Sequence, residues 1–192
     1  MHVLKKEPLR EFYKKERGDY NFTDVSRLSN AIYDNLFSQF SFVERNVHTF
    51  YSIVQNKEVD MSKFNKQLLK QTKNLITSVT VYNPKIKLIH SLINEETEFV
   101  LDKFNIPVPS KIIPFEVDKI DIVLVPLLVC DKKGNRIGYG KGLYDSFLVN
   151  CNKNCIKIGL SFFEPIEGVI ETEEHDIPLD YCVTPTSIFS FK

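Results

Sequence analysis

From Arg136 to Asp145 the chain reads Arg-Ile-Gly-Tyr-Gly-Lys-Gly-Leu-Tyr-Asp, which sets glycine at every second position among two cations and ends on a carboxylate. Gly138, Gly140 and Gly142 let backbone amides face an anion without Cβ interference, and Lys141 adds a positive charge, so the chemistry open to this run is phosphate binding. Glycines at this spacing also serve hairpins and tight packing. The run matches neither common fingerprint: a Rossmann Gly-x-Gly-x-x-Gly places its third glycine one residue later, and a Walker loop follows its lysine with Ser or Thr. What remains is a basic nest in which Arg136, Lys141 and the amides of residues 138–142 could neutralise a di- or triphosphate. Arg136 could meet phosphate oxygens as a bidentate fork or could be solvated. Asp145 falls where a helix should start, and a carboxylate there suits the helix dipole.

The elements around the run must hold it rigidly. Residues 122–129 form a nearly unbroken apolar stretch, as expected for a central strand covered on both faces of a parallel sheet. A short helix over 144–149, a second strand over 155–163 and a third over 181–184 follow. Upstream, residues 4–17 predict an amphipathic helix with Pro8 in its first turn, and 25–38 predict a second helix capped by Asn21 or Thr23. Residues 47–54 read as a strand and 60–69 as a helix. Alternation over 75–82 reads as another strand; Asn83-Pro84 is a break, and 85–93 is read as the helix after it. Residues 104–115, with Pro107, Pro109 and Pro114, read as an irregular surface connector, and residues 131–134 as a hairpin tip. The alternation predicts one α/β domain over 1–192: a three-layer open, mostly parallel sheet with helices on both faces and an N-terminal helical arm. Its ligand site should lie at the carboxyl ends of the strands.

Composition narrows the partners. The chain has 192 residues with 25 basic and 25 acidic side chains, so no global field draws it to nucleic acid or to an anionic membrane surface. No apolar run reaches membrane-spanning length, and the N-terminus lacks the apolar core of a signal peptide, so a cytoplasmic location is expected. Cys130, Cys151, Cys155 and Cys182 lack the paired spacing of a structural zinc site and are expected to be reduced.

The motif residues together resemble the 5-formyltetrahydrofolate cyclo-ligase family, also called 5,10-methenyltetrahydrofolate synthetase. Pro126, Asp131, Gly134, Arg136, Gly138, Gly140, Gly142, Tyr144 and Asp145 stand in register with its signature. Lys6-Glu7-Pro8-Leu9-Arg10 is similar to the family's N-terminal Lys-x-x-Leu-Arg, although alone it would pass for a solvated charged helix face. The resemblance implies ATP binding by Lys6, Arg10, Arg136, Ile137, Gly138, Tyr139, Gly140, Lys141, Gly142, Leu143 and Tyr144, with Arg136, Lys141 and Tyr144 in catalytic roles. It implies a folate wall at Ile53, Glu58 and Phe104, and Mg2+ ligands at Asp145 and Asp180. On the residues alone, Glu58 could be a surface carboxylate or helix cap, and Phe104 a core residue. Leu143 departs from the family, which has an aromatic before the Tyr-Asp pair. Cys130 and Glu164 depart where phenylalanine and glutamine are common.

The implied reaction is ATP-dependent closure of 5-formyltetrahydrofolate to 5,10-methenyltetrahydrofolate, through phosphorylation of the formyl oxygen and attack by N10. Such a transfer asks for alignment and charge neutralisation rather than a protein nucleophile. The implied partners are folate and ATP, in a monomer or weak homodimer. Two competing readings are a non-catalytic folate- or nucleotide-binding relative, motivated by Leu143, and an ATP-independent α/β sugar-phosphate or acyl-CoA enzyme, for which no well-placed base is found.

Overall fold

The computed structural model describes residues 3–82, 86–103 and 105–192. A short strand β1 (Val3–Leu4) leads into α1 (Lys6–Gly18) and α2 (Phe22–Gln39), followed by β2 (Asn46–Thr49), α3 (Ser62–Gln71), β3 (Asn74–Tyr82) and β4 (Ile86–Ile93). Two small pairs follow, β5 (Phe99–Leu101) with β6 (Pro107–Pro109), and, after β7 (Ile122–Pro126), β8 (Val129–Cys130) with β9 (Arg136–Ile137). The chain closes with α4 (Leu143–Leu148), β10 (Ile156–Leu160), β11 (Val169–Ile170), β12 (Tyr181–Val183) and β13 (Ile188–Ser190).

Seven strands make the main sheet in the order β13-β12-β10-β7-β2-β3-β4. From β12 to β3 every pairing is parallel, and the two edge strands β13 and β4 run antiparallel. The period-two alternation of β7 divides the core. Ile122 and Leu124 pack with Ile32 and Leu36 of α2 and with Phe64 and Leu68 of α3, while Val123 and Val125 pack with Phe147 and Leu148 of α4. Helices therefore cover both faces, as the apolar run at 122–129 predicts. Asn21 caps α2 by accepting from the Asp24 amide at 2.9 Å, and Asp24 returns the bond to the Asn21 amide.

The helical reading of residues 85–93 is corrected. Ile86–Ile93 is strand β4, zipped to β3 from Tyr82↔Ile86 to Leu75↔Ile93. β-Branched isoleucines at 89 and 93 fit a pleated surface, and β3 offers an unpaired edge that only a neighbouring strand can satisfy. Asn83 and Pro84 lie outside the described residues. The proline connector then lies along the free edge of β4: Leu92 N donates to Ile113 O at 2.8 Å, Phe115 N to His90 O at 3.1 Å, and Ser91 bridges to Pro114.

The α1 arm rests on the β8–β9 hairpin rather than on the main sheet. Its Leu9 and Tyr13 pack on Leu128, Val129, Ile137 and Ile170, and β1 pairs with β11 just before the helix starts. The hairpin tip is built by Asp131, fully buried, which accepts from the amides of Lys133, Asn135 and Ile170 at 2.8 to 3.0 Å. Through these contacts the N-terminal arm and the glycine run are brought face to face.

Candidate active site

A cavity of about 740 Å3 opens at the carboxyl ends of β2 and β7, where Phe50, Tyr51 and Pro126 contribute to its wall. Gly138, Tyr139, Gly140, Lys141, Gly142, Leu143, Tyr144 and Asp145 line one side, Lys6 and Arg10 of α1 reach in beside them, and Ile53 and Glu58 line the other. Gly140 (φ +84°) and Gly142 (φ +62°) take left-handed conformations that a side chain would strain, which is why glycine is needed at both. Gly142 is also the N-cap of α4.

Arg10 locks the loop from outside. Its Nε donates to Gly138 O at 3.0 Å, and its guanidinium lies so near Gly140 that a Cβ there would sit 3.0 Å from Cζ. Lys6 pairs with Asp176 at 2.5 Å, and Asp176 also lines the cavity. Its carboxyl is held below the usual range: burial raises it, but the bond from Lys6 and the Glu173 amide outweigh that.

Arg136 also lines the cavity, but its guanidinium is committed within the protein. Nη2 meets Asp145 Oδ1 at 2.6 Å, and Nη1 donates to the Ile177 carbonyl. The side chain is 7 % exposed. The bidentate fork open to phosphate is therefore replaced by a clamp joining β9, the start of α4 and the 171–180 segment.

On the opposite wall Glu58 is buried and accepts the Ile53 amide at 2.7 Å on Oε2 and the Tyr139 hydroxyl on Oε1. Burial pushes its pKa up, while the Ile53 amide, Tyr139 and Arg17 pull it down. Glu58 is thus neither a surface carboxylate nor a helix cap. Tyr144 is held above the normal phenol range by burial, reinforced by Glu58, so its hydroxyl stays protonated as a donor. Tyr51 is pushed up to about 12 by burial alone.

Two sequence assignments are placed elsewhere. Ile137 is fully buried in the cluster under α1 and contributes its backbone, accepting from Leu128 N, rather than a cavity surface. Asp180 precedes β12, at the amino end of the parallel strands and so at the edge opposite the cavity. It binds the Lys157 amide at 2.7 Å and the Lys157 and Lys192 ammoniums at 2.8 and 3.3 Å. Phe104 lies outside the described residues. Among the described residues no group of three or more His, Cys, Asp or Glu is arranged to hold a metal. The carboxylate supply still fits Mg2+ carried by a nucleotide, which needs one or two protein carboxylates plus phosphates and water. Asp145 is the carboxylate that would hold such a cation; its Oδ1 accepts from Arg136 and from the Ile177 amide.

Sequence reasoning also missed several residues. Arg17, at the far end of α1, donates to the Tyr139 hydroxyl and stacks 5.5 Å from its ring centroid. His48, Ser78 and His90 come from three adjacent strands: Ser78 Oγ lies 2.6 Å from His48 Nε2 and 3.1 Å from His90 Nδ1. Burial lowers both imidazoles, His90 to about 4. Their sequence separation left no local pattern to find; only the register of β2, β3 and β4 unites them.

Fold and site define an open α/β protein with a cationic glycine loop at the strand ends, flanked by an N-terminal basic helix. The 5-formyltetrahydrofolate cyclo-ligase family model matches residues 3–185, and the chain belongs to that family. Among curated relatives, a 5-formyltetrahydrofolate cyclo-ligase of Haemophilus influenzae is 27% identical over 188 residues, covering 93% of this chain and 97% of the relative. A Mus musculus 5-formyltetrahydrofolate cyclo-ligase is 38% identical over 65 residues, 32% of each chain. The fold is shared with Aquifex aeolicus 5,10-methenyltetrahydrofolate synthetase (TM-score 0.79, 23% identity, 97% of this chain and 93% of that one). It is shared also with a Mycoplasma pneumoniae 5,10-methenyltetrahydrofolate synthetase (TM-score 0.71, 23% identity, 94% and 98%).

Proposed function

We propose that the protein catalyses ATP-dependent conversion of 5-formyltetrahydrofolate to 5,10-methenyltetrahydrofolate, releasing ADP and phosphate. The observation that carries the reading is one continuous cavity with a cationic glycine loop and the Lys6–Arg10 helix on one side and the Ile53–Glu58 wall on the other. The formyl oxygen attacks the γ-phosphorus and ADP departs. N10 then attacks the activated carbon and gives up its proton, and the carbon–oxygen bond breaks to release phosphate.

For the first step the loop amides, Lys6, Arg10 and Lys141 neutralise phosphate charge and hold the chain in line, and Tyr144 donates its hydroxyl. Arg136 holds Asp145 and the 171–180 segment in place, so its contribution is made through the shape of the site. Asp145 is the residue that would hold Mg2+, which when bound screens the phosphate oxygens against the incoming nucleophile. Glu58 and the Ile53 segment bind the folate ring.

The test is the rise in methenyl absorbance on mixing protein, ATP, Mg2+ and 5-formyltetrahydrofolate. Absence of an ATP-dependent signal from folded protein overturns the reading, and tight ligand binding without turnover would make it a binding protein instead.

A further inference from the structure

Arg17 closes α1 on a stretch with no chemistry assigned to it, yet it is only 5 % exposed and its Nε has no hydrogen-bond partner among the described residues. A buried guanidinium is costly unless negative charge opposes it. The charge that opposes it is Glu58, itself 5 % exposed, reached through Tyr139. Bond directions in this chain are fixed by chemistry. Arg only donates, so the Tyr139 oxygen accepts from Arg17 and the single phenol proton goes to Glu58 Oε1. Oε2 is held by the Ile53 amide.

We infer that Arg17 is a positioning residue for the folate side of the cavity: through Tyr139 it fixes the direction of the Glu58 carboxyl and sets a positive charge behind it, so that the wall offers an acceptor to a ring N–H of the substrate. The inference rests on the functional reading above. It carries a corollary for the loop. The Tyr139 hydroxyl, engaged on both sides, has no proton to give a phosphate, so Tyr139 serves the folate wall although it sits in the nucleotide loop.

The groups facing Glu58 are Arg17 from α1, the Ile53 amide, Tyr139 from the loop and Tyr144 from α4; Lys14 lies 6.0 Å from the Tyr139 ring centroid, and the neighbouring Lys57 turns instead to Gly18 O. Burial raises the Glu58 pKa, opposed by the Ile53 amide, Tyr139 and Arg17. Without Arg17 the protonated acid becomes the stable form over a wider pH range, and a neutral carboxyl is a weaker acceptor.

The experiment is the pH dependence of KM for 5-formyltetrahydrofolate in wild type, Arg17→Met, Arg17→Lys and Tyr139→Phe. The expected result for Arg17→Met is a KM raised several-fold at the acid end of the profile that recovers towards wild type as pH rises, with the ATP KM within about twofold. Arg17→Lys, which keeps the charge, should retain most of the wild-type profile. Tyr139→Phe cuts the link and should shift the acid limb the same way; it decides the question if Arg17→Met does not fold. An unchanged KM, or one raised equally at every pH, overturns the inference. Carbon-13 NMR titration of Glu58 in ligand-free protein separates this from the functional reading: its midpoint rises in Arg17→Met if Arg17 acts as inferred and stays in place if it does not, whatever the protein turns over.

Discussion

Arg10 Nε donates to Gly138 O while the same guanidinium lies against Gly140, so one side chain of the N-terminal helix fixes two of the three loop glycines. The contact makes the loop a composite of two distant segments. A methyl group at Gly140 would combine a left-handed φ of +84° with a Cβ 3.0 Å from Arg10 Cζ. Gly140→Ala is expected to cost about 1 to 2 kcal/mol of stability and to raise the ATP KM several-fold by displacing Arg10. Thermal unfolding and ATP kinetics check both effects; a variant that keeps the wild-type ATP KM would show that Arg10 need not hold the loop.

Lys141 is exposed at the cavity mouth, so its removal should separate chemistry from folding. Lys141→Ala is expected to lower kcat/KM for ATP by roughly a hundredfold, equivalent to about 2.7 kcal/mol of transition-state stabilisation, with a melting temperature near wild type. Near-normal ATP kinetics would remove this lysine from the site.

Asp145 and Asp180 give opposite expectations for Mg2+. Asp145→Asn should raise the Mg2+ concentration needed for half-maximal rate and, by weakening the hold on Arg136, lower stability by about 1 to 3 kcal/mol. Asp180→Asn should leave the Mg2+ titration unchanged and affect stability alone, because its partners are two lysines at the far edge of the sheet. A shifted Mg2+ requirement in Asp180→Asn is the result that would reverse this assignment.

The His48–Ser78–His90 cluster makes stability depend on pH. Both rings are neutral when folded, with pKa values below the ordinary 6.5, so the unfolded chain binds more protons once the pH drops below that value. Stability should therefore decline as pH falls from 6.5 towards about 4, where folded His90 itself titrates. His90→Gln should flatten this part of the curve, measured as urea midpoints between those limits. An equally steep decline in the variant would assign the effect to carboxylates.

Much of the site was legible because its residues sit in one run. The glycine spacing, Arg136, Tyr144 and Asp145 needed only local reading, and the apolar stretch beneath them gave the central strand. What failed were inferences that depend on the third dimension. Asp180 is a ligand only as the family resemblance implies it, but it stands before a parallel strand, and the rule placing ligands at carboxyl ends already argues against it. Arg17 and Ser78 were invisible because nothing in their neighbourhoods distinguishes them from an ordinary helix end and an ordinary strand. The misread 85–93 segment carries mixed apolar periodicity, and only the open edge of β3 decides it.

The proline connector laid along β4 has a consequence for behaviour at high concentration. An eight-residue edge strand with bare amides and carbonyls is a template for joining sheets of separate molecules. Here residues 113–115 occupy part of that template, and Pro114 has no amide hydrogen with which to extend the ladder. The segment that reads in sequence as a mere link thus works as a gatekeeper against self-templated aggregation.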